Sequence, residues 1–305
     1  NAGKIENKGI EIALSTRPIQ TRDFSWDINL NFSKNSNKVK ELDGESDMFE
    51  LEKASWLDVQ VAAKVGENFG SIVGPDFQRN EKGDILIDPQ TGLPQYDKSN
   101  HVLGNASWDW TGGLLTNFTY KNLSLVAVFD VKVGADLYSM SARAAYESGK
   151  SPETLAGRDA WYRSEEERLA AGIAKGADNW KPTGGFVAPG VIDNGDGTYR
   201  PNDIYINPED YWMSVCRNAP SMFIYDNSYV KCRELTLSYN VPKSWLKNVV
   251  SGLTVSFVAR NPFIVWKNIP NIDPDSNYNN TTGMGLEYGS LPSRRSYGFN
   301  VNVKF

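Results

Sequence analysis

The sequence is poor in the residues that most often announce a chemistry. It holds two cysteines, Cys216 and Cys232, and one histidine, His101, in 305 residues. Two cysteines make no disulfide framework, so two free thiols are the simpler reading. A lone histidine, with no Cys, Asp or Glu expected to join it as a ligand, reads as a loop residue. No apolar run approaches the roughly 18 residues of a membrane helix, which excludes helical spanning and nothing more. The net charge is −5, so no cationic excess points to nucleic acid or an anionic surface. The glycines around Gly185 lack the lysine of a phosphate-binding loop, and no nucleophile elbow appears.

Acidic clusters offer little more. Glu165, Glu166 and Glu167 are consecutive, which suits a solvated helix face better than an acid–base pair. Asp193-Asn194-Gly195-Asp196-Gly197-Thr198 looks like the start of a calcium loop, but the twelfth position is Ile204 where a bidentate Glu is needed, so a turn is expected. Asp273-Pro274-Asp275 reads as another turn. No catalytic residue, metal or cofactor is expected.

What the chain does have is aromatic residues, 9 Trp, 14 Tyr and 13 Phe, and alternation. At the C-terminal end Tyr297, Phe299, Val301, Val303 and Phe305 alternate with Gly298, Asn300, Asn302 and Lys304. Side chains on a strand change face at every residue, so this is a strand with one apolar and one wet side. The same pattern recurs at 9–16, 24–33, 113–120, 123–133, 229–240 and 253–261. At 24–33 the apolar set is Phe24, Trp26, Ile28, Leu30 and Phe32, set against Ser25, Asp27, Asn29, Asn31 and Ser33. In 229–240 the phase slips at Arg233-Glu234, and a β-bulge there restores one apolar face.

The connections sort by length. Those at 18–23, 121–122 and 241–252 are short, while those at 35–110, 138–223 and 266–292 are long, and the two kinds alternate. The first long connection carries turn formers and short hairpins of its own. The second has a helix start at Ser151-Pro152-Glu153-Thr154 and helical composition at 161–174. Short turns on one edge and long loops on the other are the habit of outer-membrane barrels, and a soluble sandwich has no reason to adopt it. With Phe305 at the periplasmic end, the long loops lie outside. Tyr120 and Trp245 then fall near the inner rim, and Trp110, Tyr138, Phe263 and Trp266 near the outer one. The expected fold is all-β: about seven antiparallel strands forming the C-terminal portion of a large transmembrane β-barrel with long extracellular loops. The chain opens on strand-like sequence, Asn1-Ala2-Gly3-Lys4, with no signal peptide, and reads as a piece of a longer protein.

Several separated motifs, in order, resemble the SusC/RagA family of TonB-dependent outer-membrane transporters. They are Gly3-Lys4-Ile5-Glu6-Asn7-Lys8-Gly9-Ile10-Glu11; Phe24-Ser25-Trp26 through Asn37-Lys38-Val39; Leu103-Gly104-Asn105 to Trp110-Thr111-Gly112-Gly113; Tyr225-Asp226-Asn227-Ser228-Tyr229-Val230-Lys231 to Arg233-Glu234-Leu235; Tyr239-Asn240-Val241-Pro242; and Ile269-Pro270-Asn271-Ile272-Asp273-Pro274 through Leu291-Pro292 to Arg295-Ser296-Tyr297-Gly298-Phe299. Cys232 departs from the pattern, standing where an aliphatic residue is expected. The resemblance implies a plugged barrel in the outer membrane that imports oligosaccharides or peptides. It implies energy from an inner-membrane complex through TonB, and a SusD-like lipoprotein over the outer face. It also implies that the plug domain and N-terminal strands lie outside this chain.

Tryptophans in or beside the loops are the candidate substrate contacts: Trp108, Trp110, Trp161, Trp180 and Trp212, with Trp56 a further loop aromatic. Such rings are favoured at binding surfaces, and they equally pack loops together. Two rival functions remain on sequence grounds. A soluble extracellular β-sandwich that binds carbohydrate would have balanced loops and two facing sheets. A glycoside hydrolase would need paired carboxylates across a cleft. Either would dissolve in buffer, where a barrel needs detergent.

Overall fold

The computed structural model describes residues 3–44, 46–53, 58–246, 250–279 and 281–305. Its strands are, in chain order, β1 (Gly3–Gln20), β2 (Phe24–Leu42), β3 (Met48–Lys53), β4 (Gln60–Lys64), β5 (Ser71–Phe77), β6 (Tyr96–Asn105), β7 (Trp110–Tyr120), β8 (Leu123–Val133), β9 (Asp136–Ser139), β10 (Phe186–Val187), β11 (Val191–Asp193), β12 (Tyr199–Pro201), β13 (Tyr205–Ile206), β14 (Ile224–Asp226), β15 (Tyr229–Asn240), β16 (Gly252–Lys267), β17 (Leu286–Glu287) and β18 (Ser296–Lys304). Three α-helices, α1 (Met140–Glu147), α2 (Arg158–Ala170) and α3 (Pro208–Asn218), lie between β9 and β14.

Seven strands form one antiparallel wall in the order β1-β2-β7-β8-β15-β16-β18, each beside its neighbour in the alternating pattern. Register follows the apolar face. Leu30 sits opposite Leu14 on one side and Leu114 on the other, and Leu237 opposite both Leu125 and Phe257. Ring pairs reinforce that face: Trp26 stacks on Phe118 at 5.5 Å, and Phe257 meets Tyr297 and Phe299 at 6.3 and 5.4 Å. The other face is predominantly polar, with Ser238 and Ser256 bonded at 2.8 Å and Arg17 paired to Asp27 at 2.5 Å, around an aliphatic patch of Leu115, Val126, Val128 and Val258. The bulge falls where the phase slip requires it. Arg233 is passed over in the ladders to both β8 and β16, so Val230 and Cys232 share the apolar face with Leu235 while Tyr229 and Lys231 turn to the polar one. The hairpin at Lys121-Asn122 is also as expected, with Lys121 at φ 52°.

Three strands run further than the alternation indicates. β1 and β2 continue together to Gly3 and Leu42, through Glu6↔Lys38, Asn7↔Asn37 and Lys8↔Ser36. Polar residues on both sides of the ribbon leave no periodic signal, yet the backbone ladder persists. β16 passes the expected stop at Asn261-Pro262 and reaches Lys267. Here Asn261 takes φ 48° opposite the Arg233 bulge, and the ladder omits Pro262, which has no amide hydrogen to donate.

The short turns, 21–23, 121–122 and 241–251, lie at one edge of the wall, and the long excursions, 43–109, 134–228 and 268–295, at the other. The excursions are structured. The first builds the sheet β3-β4-β5-β6, and the second and third share the sheet β14-β9-β17, in which β17 runs parallel to β9. A single core draws on all three: Val61, Ile72 and Phe77 from the first, Tyr138, Trp212, Val215 and Phe223 from the second, and Leu286 from the third. Helix α3, which the sequence reading did not single out, is capped by Asn207 accepting from the Glu209 amide, with Pro208 in the first turn and Glu209 and Asp210 against the positive end of the dipole. The helical composition at 161–174 corresponds to α2, one turn earlier.

Gly134 opens the second excursion at φ 90°, and a Cβ there would stand 2.3 Å from Asp109 Oδ2. Gly134→Ala is therefore expected to cost about 1–3 kcal/mol in strain and collision, read as a lowered unfolding midpoint of the detergent-solubilised full-length protein.

Candidate functional site

Where the polar face of the wall meets the excursions, charges converge. Asp130 on β8 and Tyr229, Lys231 and Arg233 on β15 project from the wall, and Asp273, Asp275 and Ser293 reach them from the third excursion. Lys231 is 2% exposed. Its Nζ donates to Asp275 at 2.5 Å, to Asp273 at 3.2 Å and to the Ser293 hydroxyl at 2.5 Å. Arg233 forks between Asp275 and Asp130, each at 2.5 Å, and Tyr229 donates its hydroxyl to Asp275 at 2.9 Å. Burial raises the Asp275 carboxyl, but hydrogen bonds from Arg233 and Lys231 outweigh it and hold the group well below the usual carboxylate range. Asp273 is lowered in the same way: burial opposes the shift, and the Ser293 bonds prevail.

Each of these charges is met by a neighbour, so the cluster fastens the third excursion to the wall and leaves no group poised as acid, base or nucleophile. A second buried carboxylate ties the excursions together. Glu287 accepts from Ser139 Oγ at 2.8 Å, from the Ser141 amide at 3.0 Å and hydroxyl at 2.7 Å, and from the Ser290 amide at 3.1 Å. Among the described residues no group of three metal-ligating side chains forms.

The candidate tryptophans fall in different places. Trp108 stands at the charged cluster, edge-on to Tyr229 at 5.8 Å with Lys132 over its ring at 5.6 Å. Trp110 packs on Phe32 at 5.7 Å, on the apolar face of the wall. Trp161 on α2 and Trp212 on α3 line one cleft in the second excursion. Trp180 lies apart, its Nε1 buried without a hydrogen-bond partner among the described residues. Trp56 lies outside the described residues.

The weaker candidates also resolve. His101 is on β6, paired with Asp97 at 2.9 Å, a carboxylate four residues away that corrects the expectation of no acidic neighbour and of a loop. Glu165 bonds Arg168 at 2.9 Å and Glu167 accepts from Thr183 at 2.6 Å, both structural contacts. Asp193 and Asp196 cap the β11–β12 hairpin by accepting from Gly195 and Thr198. Cys216 and Cys232 are free and buried. The charged cluster escapes the sequence reading although its signals are present: inward charges at the bulge, and two aspartates in what reads only as a turn.

No family model matches the chain. Among curated proteins, the TonB-dependent receptor P3 of Formosa agariphila is 24% identical over 335 residues, covering 100% of this chain and 29% of its own length. The TonB-dependent receptor SusC of Bacteroides thetaiotaomicron is 24% identical over 319 residues, covering 100% of this chain and 27% of its own. The chain thus spans less than a third of the curated relatives it matches. Among solved structures, the RagAB peptide importer in its closed-closed state superposes with a TM-score of 0.63 at 17% identity, over 100% of this chain and 30% of that one. The seven-stranded sheet is accordingly a segment of β-barrel wall, and the chain matches the C-terminal part of SusC/RagA-like TonB-dependent receptors.

Proposed function

We propose that this chain supplies the C-terminal wall segment and the outer cap of a TonB-dependent importer in the outer membrane, carrying oligosaccharides or peptides inward. The observation that carries the reading is the sorting of connections on a two-faced wall. Tight turns occupy one edge, co-folded excursions the other, and one face is predominantly apolar while the other is predominantly polar, with Leu115, Val126, Val128 and Val258 as apolar exceptions on it. Lipid meets the apolar face, the polar face lines a lumen, and the excursions stand outside the cell. The remaining strands, the plug and the segment that contacts TonB belong to sequence beyond this chain, and a SusD-like lipoprotein covers the cap. The relatives are receptors by name, and the charged cluster fastens the third excursion to the wall, which together support a role in transport.

The test is uptake of labelled oligosaccharides and peptides by cells carrying the full-length protein, with and without a functional TonB. TonB-dependent accumulation of one class is the expected result; accumulation of neither, or accumulation indifferent to TonB, would refute the proposal. A narrower expectation concerns the cap. Removing 151–182, which carries α2, should weaken lipoprotein capture or uptake while the barrel still assembles, checked by co-purification and heat-modifiable mobility on gels.

A further inference from the structure

We infer that the cleft between α1, α2 and α3 in the second excursion is a binding site for a single neutral sugar ring, separate from the lumen. It rests on the import reading only in placing the cap outside the cell, where a polysaccharide chain can reach it. The cleft holds about 220 Å³ and is lined by Tyr146, Trp161, Tyr162 and Trp212, with Glu147, Arg158, Asn207 and Glu209 among its polar groups. That is smaller than the roughly 300–1,000 Å³ of drug-sized pockets, and suits one ring of a longer chain.

Three features select the ligand. The first is the aromatic content. Tyr162 is 65% exposed at the rim, and aromatic faces, carrying negative charge density, attract the C–H faces of a pyranose. Second, the polar groups are mixed in kind and some are uncommitted. The Arg158 guanidinium is held by the Gly149 and Thr154 carbonyls and the Thr154 hydroxyl. Glu147 is taken by Arg143 at 3.3 Å. Among the described residues, however, the Glu209 carboxylate has no side-chain partner, and the Asn207 side-chain oxygen, occupied by the Glu209 amide, leaves its NH₂ free to donate. Trp212, 8% exposed, has a buried Nε1 with no hydrogen-bond partner among the described residues. Unsatisfied buried donors are rare, and one in the wall of a cleft marks a place where a ligand oxygen, after a small opening, would complete the bonding. A polyol brings both donors and acceptors to such a set. Third, an extended peptide needs a strand edge to pair with, and this cleft is walled by helices and a short turn, so strand addition has no template.

The test uses the purified full-length receptor in detergent and a panel of neutral gluco- and manno-oligosaccharides, with peptides of similar mass as the comparison. Binding of at least one saccharide is expected, weakened on the order of tenfold by Trp161→Ala, which removes a stacking face. Glu209→Gln, at an exposed position that does not threaten folding, should weaken it about threefold, and Tyr199→Ala, on the β11–β12 hairpin, should match the parent. No saccharide binding, equal binding in both cleft variants, or peptide binding abolished by them would overturn the inference. Failure of the import reading would appear instead as lost TonB-dependent uptake by cells, a measurement independent of this one.

Discussion

Replacing Lys231 by methionine in the full-length receptor is expected to cost about 3–5 kcal/mol, the penalty for leaving buried carboxylates without their cation. Lys231 is all but excluded from solvent and bonds both Asp273 and Asp275. Methionine keeps the bulk of the stem while removing the charge and its hydrogen bonds to Asp273, Asp275 and Ser293, so packing loss is minor. The third excursion should loosen first, because Asp273 and Asp275 belong to it. A lowered unfolding midpoint together with new protease cleavage within 268–295 is the expected outcome, and a loss under about 1 kcal/mol would mean that Arg233 alone suffices to hold the strap. The same cluster sets a pH dependence. Asp273 and Asp275 are depressed in the folded protein, so they bind protons more readily when unfolded. Their contribution is complete above the unfolded value of about 3.9 and drains away as pH falls below it towards the folded values. Cleavage within 268–295 should therefore stay low from neutral pH down to about 5 and climb at more acid pH, measured with an acid-active protease.

The second large effect separates the two faces of β18. Val301→Arg places a charge against hydrocarbon and is expected to cost about 2–4 kcal/mol, whereas Asn302→Arg, one residue on, turns to the lumen and should cost much less. Val301 pairs with Val255 and Asn302 with Thr254, so the two positions lie at the same height in the wall and differ only in the side they face. Folding free energies into lipid vesicles decide the matter: equal destabilisation by the two arginines would invalidate the assignment of faces.

The wall was legible because alternation is local. Each strand announces itself within ten residues, and even the bulge shows as a slip of phase at Arg233. Where polar residues occupy both faces, as at Glu6 and Lys38, the signal fades before the strand does. The cap was far less legible. Its core joins Ile72 to Tyr138, Trp212 and Leu286, positions with no periodic relation to one another, and β17 is only two residues long. The charged cluster was hidden for the same reason. Asp273-Pro274-Asp275 has the composition of a turn and forms one, with the Asp275 amide bonded to Asp273 at 3.0 Å, but nothing nearby in sequence names Lys231 as the recipient of its carboxylates. The tryptophans mark aromatic positions without telling apart a ring on the apolar face of the wall such as Trp110 from one that lines a cleft such as Trp161.

The shared core of the three excursions has a consequence for how the chain assembles. The core that holds both Ile72 and Leu286 closes a span that no local element can close, and loops of that size form late because their entropy must be overcome first. The wall ladders, which link neighbouring strands, draw the ends of all three excursions to one edge and so shorten the search. The cap should then order in a single step once β16 and β18 have zipped. A chain cut once in the exposed hairpin tip at 194–197 after assembly should keep both halves in place, while the same cut made beforehand should leave the cap unformed.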